Sequence, residues 1–340
     1  MIVDRYYYDQ LNGPEKEIYK ALYKGVMEHK DYIPAKKNWK LTEELLHKIF
    51  NAITSDNPLI YFLNHSAINL ARDAKGNSAI LPQYFFSVET IAAYNKRIQD
   101  SVNHLVAQLN LIEGSDYEKE LKVHDYICRN ISYDSEGTNL QDFGRVIASH
   151  NIIGVFAHRR AQCEGIAKAI KVLLNAVDVR CIVVNGKALT DSGQWEEHAW
   201  NMINLGGVPY HMDVTWDIGA SWENWVAYDY FNLSDALIKL HHLPYEKLPE
   251  CTSEDLNYFR INHLVFTTKF MLKAYIAKSI KQRQTTLYFR LAGNLQVGKV
   301  APEIQEMAEE LFLEDKEDGW SGRTSRMVNE KMNTCRITFR

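Results

Sequence analysis

Two adjacent glycines, Gly206 and Gly207, separate the strand-like runs Glu197–Leu205 and Val208–Trp216. A two-residue Gly-Gly connection is a strong hairpin signal, because the tight turns that suit strand twist need positive φ at their central positions. With that turn, position 205 faces 208, position 200 faces 213 and position 198 faces 215. His198 and Asp213 then become diagonal neighbours on one face, within side-chain reach. A loop one residue longer would put them on opposite faces, so this single turn decides whether the pair exists. A carboxylate so placed holds an imidazole in one tautomer and stabilises it as the imidazolium.

A second feature lies upstream, in Arg160-Ala161-Gln162-Cys163-Glu164-Gly165-Ile166. After Cys163, the residues Ile166, Ala169, Ile170, Leu173, Leu174 and Val177 recur with the period of an amphipathic helix. Cys163 therefore falls at or just before the first turn. Unpaired N–H groups and the positive end of the helix dipole gather there and favour thiolate over thiol. Taken singly, a cysteine, a strand histidine and an aspartate are ordinarily structural. A helix-start Cys followed by a His and a same-face Asp is instead the arrangement nucleophilic catalysis requires.

Three blocks carry a family resemblance: Gln162-Cys163-Glu164-Gly165, His198-Ala199-Trp200-Asn201 and Asp213-Val214-Thr215-Trp216-Asp217. In order and spacing they resemble the signature of the transglutaminase-like superfamily. The lead-in His124-Asp125-Tyr126-Ile127-Cys128-Arg129-Asn130-Ile131-Ser132-Tyr133-Asp134 is similar to the helix that precedes the cysteine in bacterial members. The resemblance implies a papain-like α+β core in which a Cys-bearing helix packs on an antiparallel sheet. It also implies Cys163 as nucleophile, His198 as general base and acid, and Asp213 as orienting carboxylate. The chemistry implied is acyl transfer on peptide or protein amides through a thioester, with hydrolysis slightly ahead of transamidation. A non-catalytic scaffold for protein interaction is the alternative. The oxyanion donors expected are the Cys163 N–H and the Gln162 side chain, and Trp200 shares the His198 face, where it can shield the imidazole or simply fill the core. Two positions depart from the family pattern: Ala161 stands where glycine is frequent, and Ile166 where an aromatic residue is common. Both are expected to line the entrance to the site.

The chain has 340 residues, enough for two or three compact units. We divide it into a mainly helical region 1–120, a catalytic core 121–248 and a small α+β domain 249–340. The net charge of −4 gives no electrostatic case for nucleic acid or membrane binding. Five cysteines without a CxxC pair argue against a disulfide framework and fit a reducing cytoplasm. The N-terminal residues lack the apolar core of a signal peptide.

Upstream of the core, Pro14 fits a first helical position ahead of the stripe Ile18, Leu22 and Val26. A second helix carries Leu41, Leu45, Ile49 and Ile53 and ends before Ser55-Asp56-Asn57-Pro58. Ser87 caps a longer helix bearing Ile91, Ile98, Val102, Leu105 and Leu109, and residues 59–83 read as a hairpin around Asp73–Asn77. After the core, the aromatic stretch Trp222, Trp225, Tyr228, Tyr230 and Phe231 either borders a groove or packs inward, packing being the stronger reading. The last third reads as a helix near 267–283, a strand at 285–290, a helix begun by Pro302 and a strand at 335–339. No Asp or Glu falls between Asp255 and Glu303, so the basic surface there reads first as a solvated face, with contact for an acidic protein partner as the alternative. No cofactor or metal is expected. His124 and Cys128 share a helix face and His241 and His242 are adjacent, but no CxxC or HExxH accompanies them, and the acidic run Glu314–Asp318 lacks the spacing of a calcium loop. His158-Arg159-Arg160 just before Cys163 either lowers the thiol pKa through its positive charge or points into solvent.

Overall fold

The computed structural model describes residues 4–72, 77–221, 225–314 and 324–339. They form two compact units, Met1–Ala227 with Leu243–Pro249, and Tyr228–His242 with Glu250–Arg340.

The first unit begins with α1 (Tyr6–Gln10), α2 (Gly13–Met27) and α3 (Glu43–Asp56). α2 opens on a reciprocal capping box between Asn12 and Glu15 and buries Ile18, Leu22 and Val26, as its periodicity requires. α3 differs from expectation at both ends. Thr42 caps it by accepting the Leu45 N–H, so Leu41 precedes the helix and the buried stripe is Leu46, Ile49, Phe50 and Ile53. The helix then continues through Ser55 and Asp56, where the Asp56 carboxylate accepts the N–H groups of Tyr7 and Tyr8 at 3.0 and 2.8 Å. A tertiary partner for its last residue outweighs the local turn signal.

A three-stranded antiparallel sheet follows: β1 (Ile33–Pro34), β2 (Leu63–Arg72) and β3 (Ser78–Tyr84), in the order β1-β3-β2. The expected hairpin is β2–β3; Asp73–Gly76 of its turn lie outside the described residues. Ser87 caps α4 (Val88–Gln108), and Ser115 with Glu118 caps α5 (Asp116–Asn130). Next come β4 (Ser132–Tyr133), α6 (Phe143–Ser149), a π-helical turn at Gly154–His158, and β5 (Arg160–Ala161), which pairs parallel to β4.

The remaining elements are α7 (Cys163–Asn175), β6 (Arg180–Leu189), β7 (Trp195–Leu205), β8 (Val208–Met212), α8 (Val214–Ala220) and β9 (His242–Pro244), most of which belongs to the returning segment Leu243–Pro249. Their sheet runs β8-β7-β6-β9. The β7–β8 turn has the anticipated form: Gly206 and Gly207 have φ of 60° and 92°, and the register runs from Leu205 opposite Val208 to Asn201 opposite Met212. The expected strand to Trp216 is corrected. β8 stops at Met212, and Val214–Ala220 are helical because Asp213 serves as N-cap, its Oδ1 accepting the Thr215 N–H at 3.0 Å.

α7 buries Ile166, Ala169, Ile170, Leu173 and Leu174 against the sheet. Small side chains allow a close approach, since Ala167, Val183 and Ala199 form one buried cluster. Asn201 then ties the layers together, its Nδ2 donating to the Ala167 carbonyl at 2.9 Å. Ala161 and Ile166 are fully buried in this packing, so neither lines an entrance. Gly165 has a steric reason to be glycine: a Cβ there would lie 2.5 Å from the Ser149 carbonyl oxygen and 2.8 Å from that of Asn151. Gly165→Ala should therefore destabilise the chain by about 1–3 kcal/mol, the usual cost of overpacking. A thermal melt that does not move would contradict this reason.

The second unit contains α9 (Asp235–Ile238), α10 (Tyr258–Ile261), β10 (Val265–Phe266), α11 (Lys269–Lys281), β11 (Thr286–Leu291), α12 (Val297–Glu314), β12 (Thr324–Asn329) and β13 (Thr334–Phe339). The sheet order is β10-β11-β13-β12, and α11 and α12 share its apolar cluster, including Leu272, Ile276, Phe289, Ile304 and Ile337. Pro302 lies inside α12 rather than at its start, because Asn333 Oδ1 accepts the Val297 N–H at 2.7 Å and nucleates the helix earlier. Strand β12 was not anticipated from the sequence. Of the aromatic stretch, Tyr230 and Phe231 are buried, Tyr228 stacks on Tyr258 at 3.7 Å, and Trp222 lies outside the described residues. Asp315–Asp318 also lie outside them. Part of the basic run is neutralised within the unit: Lys269 pairs with Glu303, and Arg260 donates to Glu254 at 3.0 Å.

Candidate active site

Gln162 occupies the N-cap position of α7, so Cys163 is the first helical residue, where backbone N–H groups lack intrahelical acceptors. Its setting differs from that of three other thiols. Burial pushes Cys181, Cys251 and Cys335 up to about 12, whereas Cys163 is partly exposed. All five cysteines are free.

Strand β7 delivers His198 to the same place. Its Nε2 lies 2.7 Å from Asp213 Oδ2, and its ring is also hydrogen-bonded to the Cys163 side chain. The structure thus brings Cys163, His198 and Asp213 together. Burial of His198 opposes its charge, but Asp213 and then Cys163 outweigh that and push it up to about 10. Asp213 is buried and serves both neighbours, one oxygen on the imidazole and one on the helix cap. The turn predicted from Gly206-Gly207 sets the register, and the helix cap turns the carboxylate toward the ring.

Trp200 stacks beside His198 with centroids 6.2 Å apart and planes 18° apart, while its Nε1 donates to His211 Nδ1 at 3.1 Å. It is buried, so it is at once a core aromatic and a wall of the imidazole. Trp216 approaches the same ring at 5.9 Å. The sequence reading gave Trp216 no role, since as a strand residue it would have pointed elsewhere; its place follows from the start of α8.

Gln162 is buried, and its Nε2 donates to the Asp134 carbonyl at 3.1 Å. Asp134 is in turn clamped: Arg145 Nε donates to both carboxylate oxygens at 3.0 Å, and Ser149 donates to one of them. Arg145 holds the Asp134 carboxyl down to about 2. Tyr133 is a second residue near the site that sequence reasoning missed. It sits opposite Ala161 in the β4–β5 pair and is 45% exposed; burial, then Cys163 and Asp213, push its phenol up to about 12. Only its place in the lead-in block signalled it. His158, Arg159 and Arg160 are exposed, and Arg160 reaches Asp134 at 4.0 Å. His124 and Cys128 face each other and Asp217 inside the protein.

Residues 103–229 match the model of the transglutaminase-like superfamily. Among curated proteins, the chain is 25% identical over 130 residues to the kyphoscoliosis peptidase of Mus musculus, covering 36% of this chain and 19% of that protein. The chain thus spans about a fifth of that relative's length. Among solved structures it is similar to a TGase (15% identity, TM-score 0.31, 54% of this chain and 50% of that one). It is also similar to a candidate cysteine protease from Cytophaga hutchinsonii (15% identity, TM-score 0.28, 44% and 61%).

Proposed function

For a chain whose residues 103–229 match the model of the transglutaminase-like superfamily, we propose cysteine-dependent acyl transfer on peptide or protein amides. The observation that carries this reading is one imidazole held between a partly exposed thiol at a helix start and a buried carboxylate 2.7 Å away. The Cys163 thiolate attacks the amide carbonyl, the C–N bond breaks as His198 gives its proton to the departing nitrogen, and a thioester remains. His198 then takes a proton from water or from an amine as that nucleophile resolves the thioester. The oxyanion is met by the Cys163 backbone N–H and by the second hydrogen of Gln162 Nε2, whose first is held by Asp134. Hydrolysis is the favoured outcome because Cys163 is partly exposed, so water can reach the thioester.

Five free cysteines support a reducing compartment, and no described helix is long and apolar enough to cross a membrane. Lys273, Lys278 and Lys281 remain exposed on α11 and supply the surface for an acidic partner.

The test is mass spectrometry of the full chain mixed with glutamine-containing peptides, with and without a primary amine. We expect an acyl adduct on Cys163 and a hydrolysed peptide, with a transamidated product appearing only at high amine. An unmodified Cys163 and intact peptides across a substrate library would favour the scaffold reading.

A further inference from the structure

A second histidine–carboxylate pair lies behind the first. His124 of α5 places Nε2 3.0 Å from Asp217 Oδ2 of α8, with both side chains fully buried. His124 also faces Asp125 Oδ1 at 3.4 Å and Cys128 Sγ at 3.7 Å from its own helix. Asp217 lies within α8, four residues after Asp213, the N-cap residue of the same helix. One reaches His198 on β7, the other His124 on α5.

Such a short helix needs outside support. α8 spans only Val214–Ala220, well below the length at which a helix holds itself in water. Its far end is tied by Ser221, whose Oγ donates to the Asp217 carbonyl at 2.6 Å and accepts the Ala227 N–H at 2.9 Å. Rotation of α8 about its axis would carry Asp213 away from His198. His124–Asp217 is a buried side-chain pair that joins the middle of α8 to α5.

We infer that the His124–Asp217 pair is a positioning device that fixes α8, and through it Asp213, against His198. This rests on the Cys163–His198–Asp213 reading. Burial opposes the charge on His124, but Cys128, Asp125 and Asp217 outweigh it and hold the imidazole protonated well above its ordinary range. Asp213 and Asp217 thus each face an imidazole, and neither is left as an unpaired buried carboxylate.

The test compares His124→Gln and Asp217→Asn with Val123→Ala, a buried position on α5 outside the pair. Two readouts report the site rather than the fold: the iodoacetamide alkylation rate of Cys163, and the titration midpoint of the His198 imidazole by NMR. Displacement of a catalytic group from a distance lowers rates by up to about 100-fold, so we expect His124→Gln and Asp217→Asn to slow alkylation about 10- to 100-fold. The His198 midpoint should fall by about one unit or more. Val123→Ala should lower the melting temperature and leave both readouts near wild type. Folded His124→Gln and Asp217→Asn chains with wild-type readouts, or an equal effect from Val123→Ala, would overturn the inference. If neither substituted chain folds, the reciprocal measurement decides: in Asp213→Asn the His124 ring resonances should shift through α8, and unshifted resonances refute the link. A wild-type Cys163 that reacts as an ordinary thiol overturns the catalytic reading and this one with it, whereas an activated thiol indifferent to both substitutions overturns this one alone.

Discussion

His198→Ala is expected to slow formation of the thioester at Cys163 by a factor on the order of 10⁶, as when a nucleophile loses its base in a comparable triad. In the proposed mechanism the imidazole performs two tasks. It is hydrogen-bonded to the thiol, and it carries the proton that the departing nitrogen needs. The side chain lies on the sheet beside Trp200 and Trp216, so its removal should leave β7 in place. Single-turnover acylation of Cys163, followed by mass spectrometry on protein with an unchanged circular dichroism spectrum, measures the loss. A variant within tenfold of wild type would remove His198 from the mechanism.

Asp213→Asn should lower acyl transfer by about 10⁴-fold, the effect of the same exchange in a Ser-His-Asp triad. Asparagine still caps a helix, so α8 should form and the loss should report electrostatics and tautomer. Without the carboxylate, the His198 midpoint should fall from about 10 toward its ordinary ~6.5. The stability consequence has a definite sign. A raised imidazole midpoint contributes stability that is fully present below about 6.5 and is lost as pH rises to about 10, since the folded chain keeps a proton that the unfolded chain releases. Wild type should therefore lose melting temperature between those values more steeply than Asp213→Asn. Parallel melting curves for the two chains across that window would show that the ion pair contributes nothing there.

Much of this site was legible because its determinants are local. Gly206-Gly207 fixes a turn by backbone sterics alone, and that turn fixes which face His198 occupies. The apolar period after Cys163 determines where α7 begins, and the cap Ser87 lies next to the helix it starts. Other features depend on partners distant in the chain. The end of β8 is set by Asp213, whose carboxylate serves an imidazole fifteen residues away and the cap of α8 at once. Asp56 prolongs α3 because α1 offers it two N–H groups, and α12 starts early because Asn333 caps it from beyond the helix. Tyr133 reaches the site through the β4–β5 pair, and His124 meets Asp217 across ninety-three residues of sequence. The sequence by itself determined the turn and the helix start, since steric and capping preferences act over a few residues, and the family resemblance pointed to the three candidate site residues. Only the tertiary structure decided where strand gives way to helix at Asp213 and what holds that helix in place, because buried polar groups must find partners wherever the fold supplies them.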